Sequence, residues 1–125
     1  MKNVQGKKLT RRGLPSEVRL SLKVSQAKKA EEIVVLDLRG IASFTDYFLI
    51  MSGNSIRQNI AIYQAIEERL GREGVFPLGV EGEINGEWVL MDYGHFIIHI
   101  FSRRARDYYS LEKLWQDAPS LSLKP

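Results

Sequence analysis

The chain is 125 residues long with 44% apolar content, which suits a single domain with one core rather than several domains. It contains no cysteine, so disulfide frameworks, thiol nucleophiles and cysteine-based zinc sites are excluded. The net charge of +3 hides an asymmetry: residues 1–30 carry nine basic residues and one acid, whereas residues 31–125 carry nine basic residues and fourteen acids. A basic leader favours polyanions such as RNA, and an acidic body favours a basic protein partner.

In chain order, residues 1–14 hold Gly6, Gly13 and scattered charge with little apolar periodicity, and read as a disordered basic N-terminal extension. This start has no apolar stretch of the secretory kind, and no run approaches the ~18 apolar residues of a membrane span, so a cytoplasmic protein is expected. A single domain is expected over residues 15–118, followed by a flexible tail over residues 119–125. Pro15-Ser16 opens a helix to about Ala30, with Val18, Leu22, Ser25 and Lys29 at helical spacing. Residues 33–38 are almost all apolar and β-branched, which predicts a central strand buried on both faces. Residues 46–51 form a second apolar strand. Ser55 and Gln58 make a capping box for a helix whose apolar face is Ile56, Ile60, Tyr63, Ile66 and Leu70. Gly71 and Gly74 bracket its end.

Residues 75–80 predict a short strand, placed at an edge or started irregularly because Pro77 cannot donate to a ladder. Asn85-Gly86 is a two-residue hairpin signal ahead of a strand at residues 88–93. Gly94 reverses the chain into a last strand at residues 96–101. Ser102 caps a closing helix that runs to Trp115. The order α-β-β-α-β-β-β-α predicts an α/β fold, a mixed sheet of about five strands with helices packed on it.

No catalytic constellation emerges. Gly53-Asn54-Ser55 at a helix start could hold a phosphate, but it lacks the length and lysine of a P-loop. It is similar to the glycine-serine turn of nucleotidyltransferases, yet no Asp-x-Asp accompanies it, and Glu81-Gly-Glu83 lies beside a turn rather than in a strand. Asp37, among apolar residues, needs a hydrogen-bonding partner and reads as structural. His95 and His99, four apart in β-rich sequence, would stand about 13 Å apart, too far to share a metal. Arg103, Arg104 and Arg106 are either paired to acids or open to an anionic partner. No glycine–aromatic signature of an RNA-recognition module is present. A binding protein is therefore expected, with no enzyme activity, cofactor or metal.

Seven of the twelve aromatics fall within residues 88–115. Trp, Tyr and Arg dominate protein–protein hot spots, so this stretch is the candidate docking surface. A period-2 reading puts Trp88, Leu90 and Asp92 on one face, and Val89, Met91 and Tyr93 on the other.

Seven motifs in order then carry a resemblance. They are Ile33-Val-Val-Leu-Asp37, Ser43-Phe-Thr-Asp-Tyr47, Gly53-x-Ser55-x-Arg57-Gln58, Pro77-Leu-Gly-Val-Glu-Gly82, Trp88-Val-Leu-Met-Asp-Tyr-Gly94, Ile98-His-Ile-Phe101 and Arg106-x-Tyr-Tyr-x-Leu-Glu-x-Leu-Trp115. Together they resemble the ribosomal silencing factor, or Iojap-like, family, over roughly residues 26–118. The resemblance implies a nucleotidyltransferase-like fold without the catalytic carboxylates. It implies a translation repressor that binds the large ribosomal subunit through ribosomal protein number fourteen and sterically blocks joining with the small subunit when nutrients are scarce. It also implies homodimers in the free state. Carried over, the partner-binding residues are Glu81, Gly82, Trp88, Asp92, Tyr93 and His99, with Tyr109 and Trp115. Residues 1–25 match nothing in the family pattern, and Ile56 stands where a small or polar residue is usual. Two other readings stay open: a large-subunit assembly factor, and a small nucleotidyltransferase or nucleotide binder. Contact with ribosomal RNA is a role for the basic extension.

Overall fold

The computed structural model describes residues 9–124. Six strands form one mixed sheet in the order β3-β4-β5-β2-β1-β6. They are β1 (Glu31–Asp37), β2 (Tyr47–Ser52), β3 (Gly79–Glu81), β4 (Trp88–Asp92), β5 (Phe96–Phe101) and β6 (Ser120–Ser122). Only β2 and β5 run parallel; the other neighbouring pairs are antiparallel. A parallel pair needs a long crossover, and the chain between β2 and β5 supplies it through helix α2 (Ile56–Arg72) and the β3–β4 hairpin.

Helix α1 (Ser16–Ala27) packs beside α2 on one face of the sheet. Their Val18, Leu22, Ile62, Ile66 and Leu70 meet Val35, Leu49, Met91 and Ile98 in the main core. Two short helices, α3 (Arg103–Tyr109) and α4 (Leu111–Leu114), belong to the other face. There Leu36, Leu38, Phe48, Ile50, Ile97 and Phe101 form a second core with Ala105 and Ala118. The ladder fixes which residues share that face, because directly paired residues point the same way. Glu81, Leu90, His99, Ile50 and Val34 make one row across the sheet, and Trp88 with Phe101 begins the next.

The sequence expectations meet the structure unevenly. Helix α2 begins where Ser55 predicts: its hydroxyl accepts from the Gln58 N–H at 3.0 Å. The reciprocal bond reaches one residue further back, from the Asn54 N–H to Gln58 Oε1 at 2.7 Å. Its buried stripe is Asn59, Ile62, Ile66 and Leu70, not the face through Ile56, which is 38% exposed. Polar Asn59 hides this stripe from an apolar count. Its carboxamide accepts from Gly53 N–H at 2.9 Å and donates to the Gly86 carbonyl at 2.8 Å, tying the β2–α2 turn to the β3–β4 loop. That loop is not a two-residue hairpin: the last β3 pair is Glu81 with Leu90, and residues 82–87 turn the chain before β4, with the Gly86 N–H bonded to the Gly82 carbonyl.

Three boundaries differ. The tail read as flexible instead contributes β6, an edge strand on β1, because Leu121 packs into the main core and Leu123 N–H reaches the Ile33 carbonyl. The closing helix breaks at Ser110, which adopts φ 46°, ψ 55°. The basic extension ends earlier than residue 14: Arg11–Gly13 forms a single 3-10 turn, and Leu14 is 3% exposed in the core. Disorder was expected for residues 1–8 as well; they lie outside the described residues.

Candidate functional site

On the sheet face away from α1 and α2, the cover is incomplete. Helices α3 and α4 with Ala118 lie over part of it. Across β4 the burial alternates, so Val89 and Met91 are sealed beneath the long helices while Trp88, Leu90 and Asp92 stay half-exposed. Trp88 packs on Phe101 and Tyr109, with ring centroids at 4.9 and 4.5 Å. His99 lies 4.4 Å from Phe48, edge to face, and Phe48 lies 6.0 Å from Trp115. Phe44, 57% exposed, sits 6.1 Å from both Phe48 and Trp115. These rings form a continuous chain of contacts from Tyr109 to Phe44, exposed at its ends, half-exposed at Trp88 and Trp115, and buried at Phe101, His99 and Phe48. Tyr108, packed edge-on against Tyr109 at 5.0 Å, is 79% exposed, and Leu114 on α4 is 72% exposed.

His99 is 3% exposed. The indole N–H of Trp88 donates to its Nδ1 at 3.0 Å. Indole can only donate, so the imidazole is neutral with its proton on Nε2. Nε2 has no hydrogen-bond partner among the described residues. Burial pushes the His99 pKa down to about 3. The pair therefore sets the Trp88 ring at a fixed tilt and does not act as an acid–base group near neutrality.

Acids rim this surface. Glu81 is exposed on the edge strand β3, in the same row as Leu90 and His99. Asp92 accepts from the Gly94 N–H at 2.8 Å. Glu87 accepts from Ser102 Oγ at 2.5 Å and pairs with Arg104 at 3.2 Å. The other basic residues at the start of α3 are also paired: Arg103 with Glu31 and Glu32, Arg106 with Glu112. Arg106 is 8% exposed, and its guanidinium also donates to Ser52 Oγ at 3.0 Å and to the Glu32 carbonyl at 2.7 Å. It ties α3 and α4 to the sheet and so holds Tyr109 and Trp115 in place.

Of the eight expected partner-binding residues, the fold brings six side chains to this face or its border: Glu81, Trp88, Asp92, His99, Tyr109 and Trp115. Gly82 contributes backbone, not a side chain. It adopts φ 80°, and a Cβ there would run into the Trp88 carbonyl. Tyr93 is on the opposite face, buried and stacked on Phe96 at 4.9 Å. Burial, with Glu67 nearby, pushes its hydroxyl up to about 12. Sequence reading missed Phe44 and Phe48, since a loop has no periodicity to mark Phe44, and Phe48 reads as one more core residue of β2.

The chemical alternatives resolve into structural roles. Asp37 accepts from Arg39 Nε at 3.0 Å and Nη2 at 2.8 Å. Gly53-Asn54-Ser55 is a capped turn in which a Cβ at Gly53 would meet Asn59. Among the described residues, no three of His, Asp and Glu gather where they could hold a metal ion. No described helix is long and apolar enough to cross a membrane.

Comparison with known proteins adds to this geometry. The family model described as "Ribosomal silencing factor during starvation" matches residues 12–125. The chain is 44% identical to "Ribosomal silencing factor RsfS" of Bacillus subtilis over 77% of its own length and 81% of the relative's. A crystal structure of a protein from Chromobacterium violaceum superposes with a TM-score of 0.78 at 31% identity, covering 87% of both chains. A more distant mouse relative, 27% identical over 82% of this chain and 46% of its own, is named "Mitochondrial assembly of ribosomal large subunit protein 1".

Proposed function

Because the chain belongs to the ribosomal silencing factor family, we propose that it acts in the cytoplasm as a translation repressor that docks on the large ribosomal subunit. The contact is ribosomal protein number fourteen, and the mechanism is steric: the bound protein occupies the surface where the small subunit would join. The observation that carries this reading is the half-exposed Trp88 and Leu90, with exposed Tyr109 and Phe44, on a sheet face that α3 and α4 leave partly uncovered. Aromatic anchors held by packing are the side chains that dominate binding energy. Glu81 and Asp92 at the rim suit a basic ribosomal protein and would steer its approach. Steric exclusion needs affinity and bulk, and the reading requires no catalytic group. Self-association of the free protein through the same apolar surface is part of it.

Co-sedimentation with separated ribosomal subunits tests the proposal. Wild type should pellet with the large subunit and not the small one. Trp88→Ala should weaken that binding by about 2 kcal/mol or more, and Glu81→Lys, on an exposed edge, should weaken it without touching the core. Circular dichroism checks that both variants fold. Wild-type protein that pellets with neither subunit at moderate salt would sink the reading.

A second reading, assembly of the large subunit, is favoured by the name of the mouse relative. The same docking face would serve it. Accumulation of large-subunit precursors in a deletion strain would favour assembly over repression of mature subunits.

A further inference from the structure

We propose that the outer face of α1, with the chain at both of its ends, is a second binding surface, for the phosphate backbone of RNA. The choice of RNA as the polyanion rests on the ribosomal reading above.

Six exposed cations line this surface: Arg12, Arg19, Lys23, Lys28, Lys29 and Arg57. None of them makes an ion pair among the described residues. Six other arginines are neutralised. Arg39, Arg69, Arg72, Arg103, Arg104 and Arg106 each hold a carboxylate. The four arginines without a carboxylate among the described residues are Arg11, Arg12, Arg19 and Arg57, all in or next to this segment, and cations left without a counter-charge mark a surface suited to an external anion.

The layout is linear. Arg19 and Lys23 stand one turn apart on α1, a like-charge pair that an isolated helix disfavours. At the start of the helix, Arg19 Nη1 donates to the Arg12 carbonyl at 3.2 Å, folding the preceding 3-10 turn alongside. At its end, Gln58 Nε2 donates to the carbonyls of Lys28 and Lys29 at 3.0 and 3.2 Å, which ties the first turn of α2, carrying exposed Arg57, to the end of α1. Arg19 to Lys28 alone spans about 14 Å at helical rise, room for several successive phosphates. The one acid within residues 9–30 is Glu17, half-buried with its carboxylate 3.9 Å from His95 Nε2.

The apolar residues of α1 favour RNA over a lipid surface. Val18 and Leu22 are fully buried in the core, and the exposed positions between the cations are Ser16 and Ala27. A membrane-surface helix needs a free apolar face to insert. A protein partner would need an anchor residue, and the stripe has no aromatic. Contacts of this kind neutralise phosphates and position a nucleic acid without reading its bases. Helix α1 lies across the sheet from Trp88, so both surfaces can be occupied at once.

The test is fluorescence anisotropy of a labelled RNA duplex over a salt series. Each phosphate neutralised adds about 0.9 to the slope of log affinity against log salt. The R19Q/K23Q/K28Q variant should show a slope shallower by about 2 to 3 and binding at least roughly tenfold weaker at low salt. The charge-keeping R19K/K23R/K28R variant should retain the wild-type slope, and Trp88→Ala should bind RNA as wild type does. Residues 1–8 are intact in every variant, so their lysines cannot supply the difference. A wild-type slope in the glutamine variant, no wild-type binding at low salt, or tighter binding to phosphatidylserine vesicles than to RNA would each overturn the proposal. Loss of large-subunit binding in Trp88→Ala with RNA binding kept reads the docking face separately.

Discussion

Between Trp88 and Phe48 the imidazole of His99 is held without charge. Its Nδ1 accepts a hydrogen bond from the Trp88 indole N–H at 3.0 Å, and its surroundings are apolar. With a folded pKa of about 3 against 6.5 in the unfolded chain, protonation favours unfolding in between. The stability that His99 contributes is present above pH 6.5 and is lost as the pH falls towards 3. At pH 5 the loss is about 2 kcal/mol. Urea unfolding at pH 7 and pH 5, wild type beside His99→Leu, checks this. The variant is expected to be less stable at pH 7, with the Trp88 N–H unpartnered, yet to lose less on acidification. Equal losses in the two proteins would mean that His99 is not the acid-sensitive group. The resemblance places His99 with Trp88 on one surface, and the β4–β5 register puts them on the same sheet face. What local sequence could not reveal was depth, because Phe48, whose ring packs edge-on at 4.4 Å, comes from β2, far away in sequence.

Strand β6 is Ser-Leu-Ser, too short and too polar for a periodic signal, and it forms because β1 presents an unpaired edge. The bonds are specific: Asp37 N–H to the Pro119 carbonyl at 2.9 Å and Leu123 N–H to the Ile33 carbonyl at 2.9 Å. Removing residues 119–125 should cost on the order of 2 kcal/mol, from the lost burial of Leu121 and the lost ladder. It should also leave the apolar β1 as a bare edge, which promotes association between chains. Urea titration and sedimentation velocity would register both effects. A truncated chain with the full-length urea midpoint and sedimentation profile would show that the strand is dispensable. The break at Ser110 was hidden for a similar reason. Residues 103–115 keep a helical composition throughout, and the chain turns there with Arg106 bonded to Glu112 across the break and to Ser52 Oγ and the Glu32 carbonyl, two partners far away in sequence. Strands β2, β4 and β5 were legible because their apolar runs are bounded by glycine or polar turns, which is local information.

At the scale of the whole molecule, the two sheet faces do different work. One is sealed by α1 and α2; the other keeps an aromatic surface with an acidic rim. That division was readable from period-2 alternation, but Tyr93 was carried to the docking face by resemblance although its alternation already put it on the sealed one. The repression proposed above acts by occupancy, which gives its dose-response a definite form. When large subunits are present well above the dissociation constant, translation should fall in proportion to protein added and reach its floor near one protein per subunit. Trp88→Ala should shift the curve to higher protein without changing that floor. An enzyme that modified the ribosome or a translation factor would instead inhibit at amounts far below the subunit concentration, and more strongly with longer incubation, because each molecule turns over. Titrating purified protein into a translation reaction with counted large subunits, at two incubation times, separates the cases. Time-independent inhibition saturating near equivalence fits steric exclusion; deep inhibition at a small fraction of equivalence would reject it in favour of catalysis.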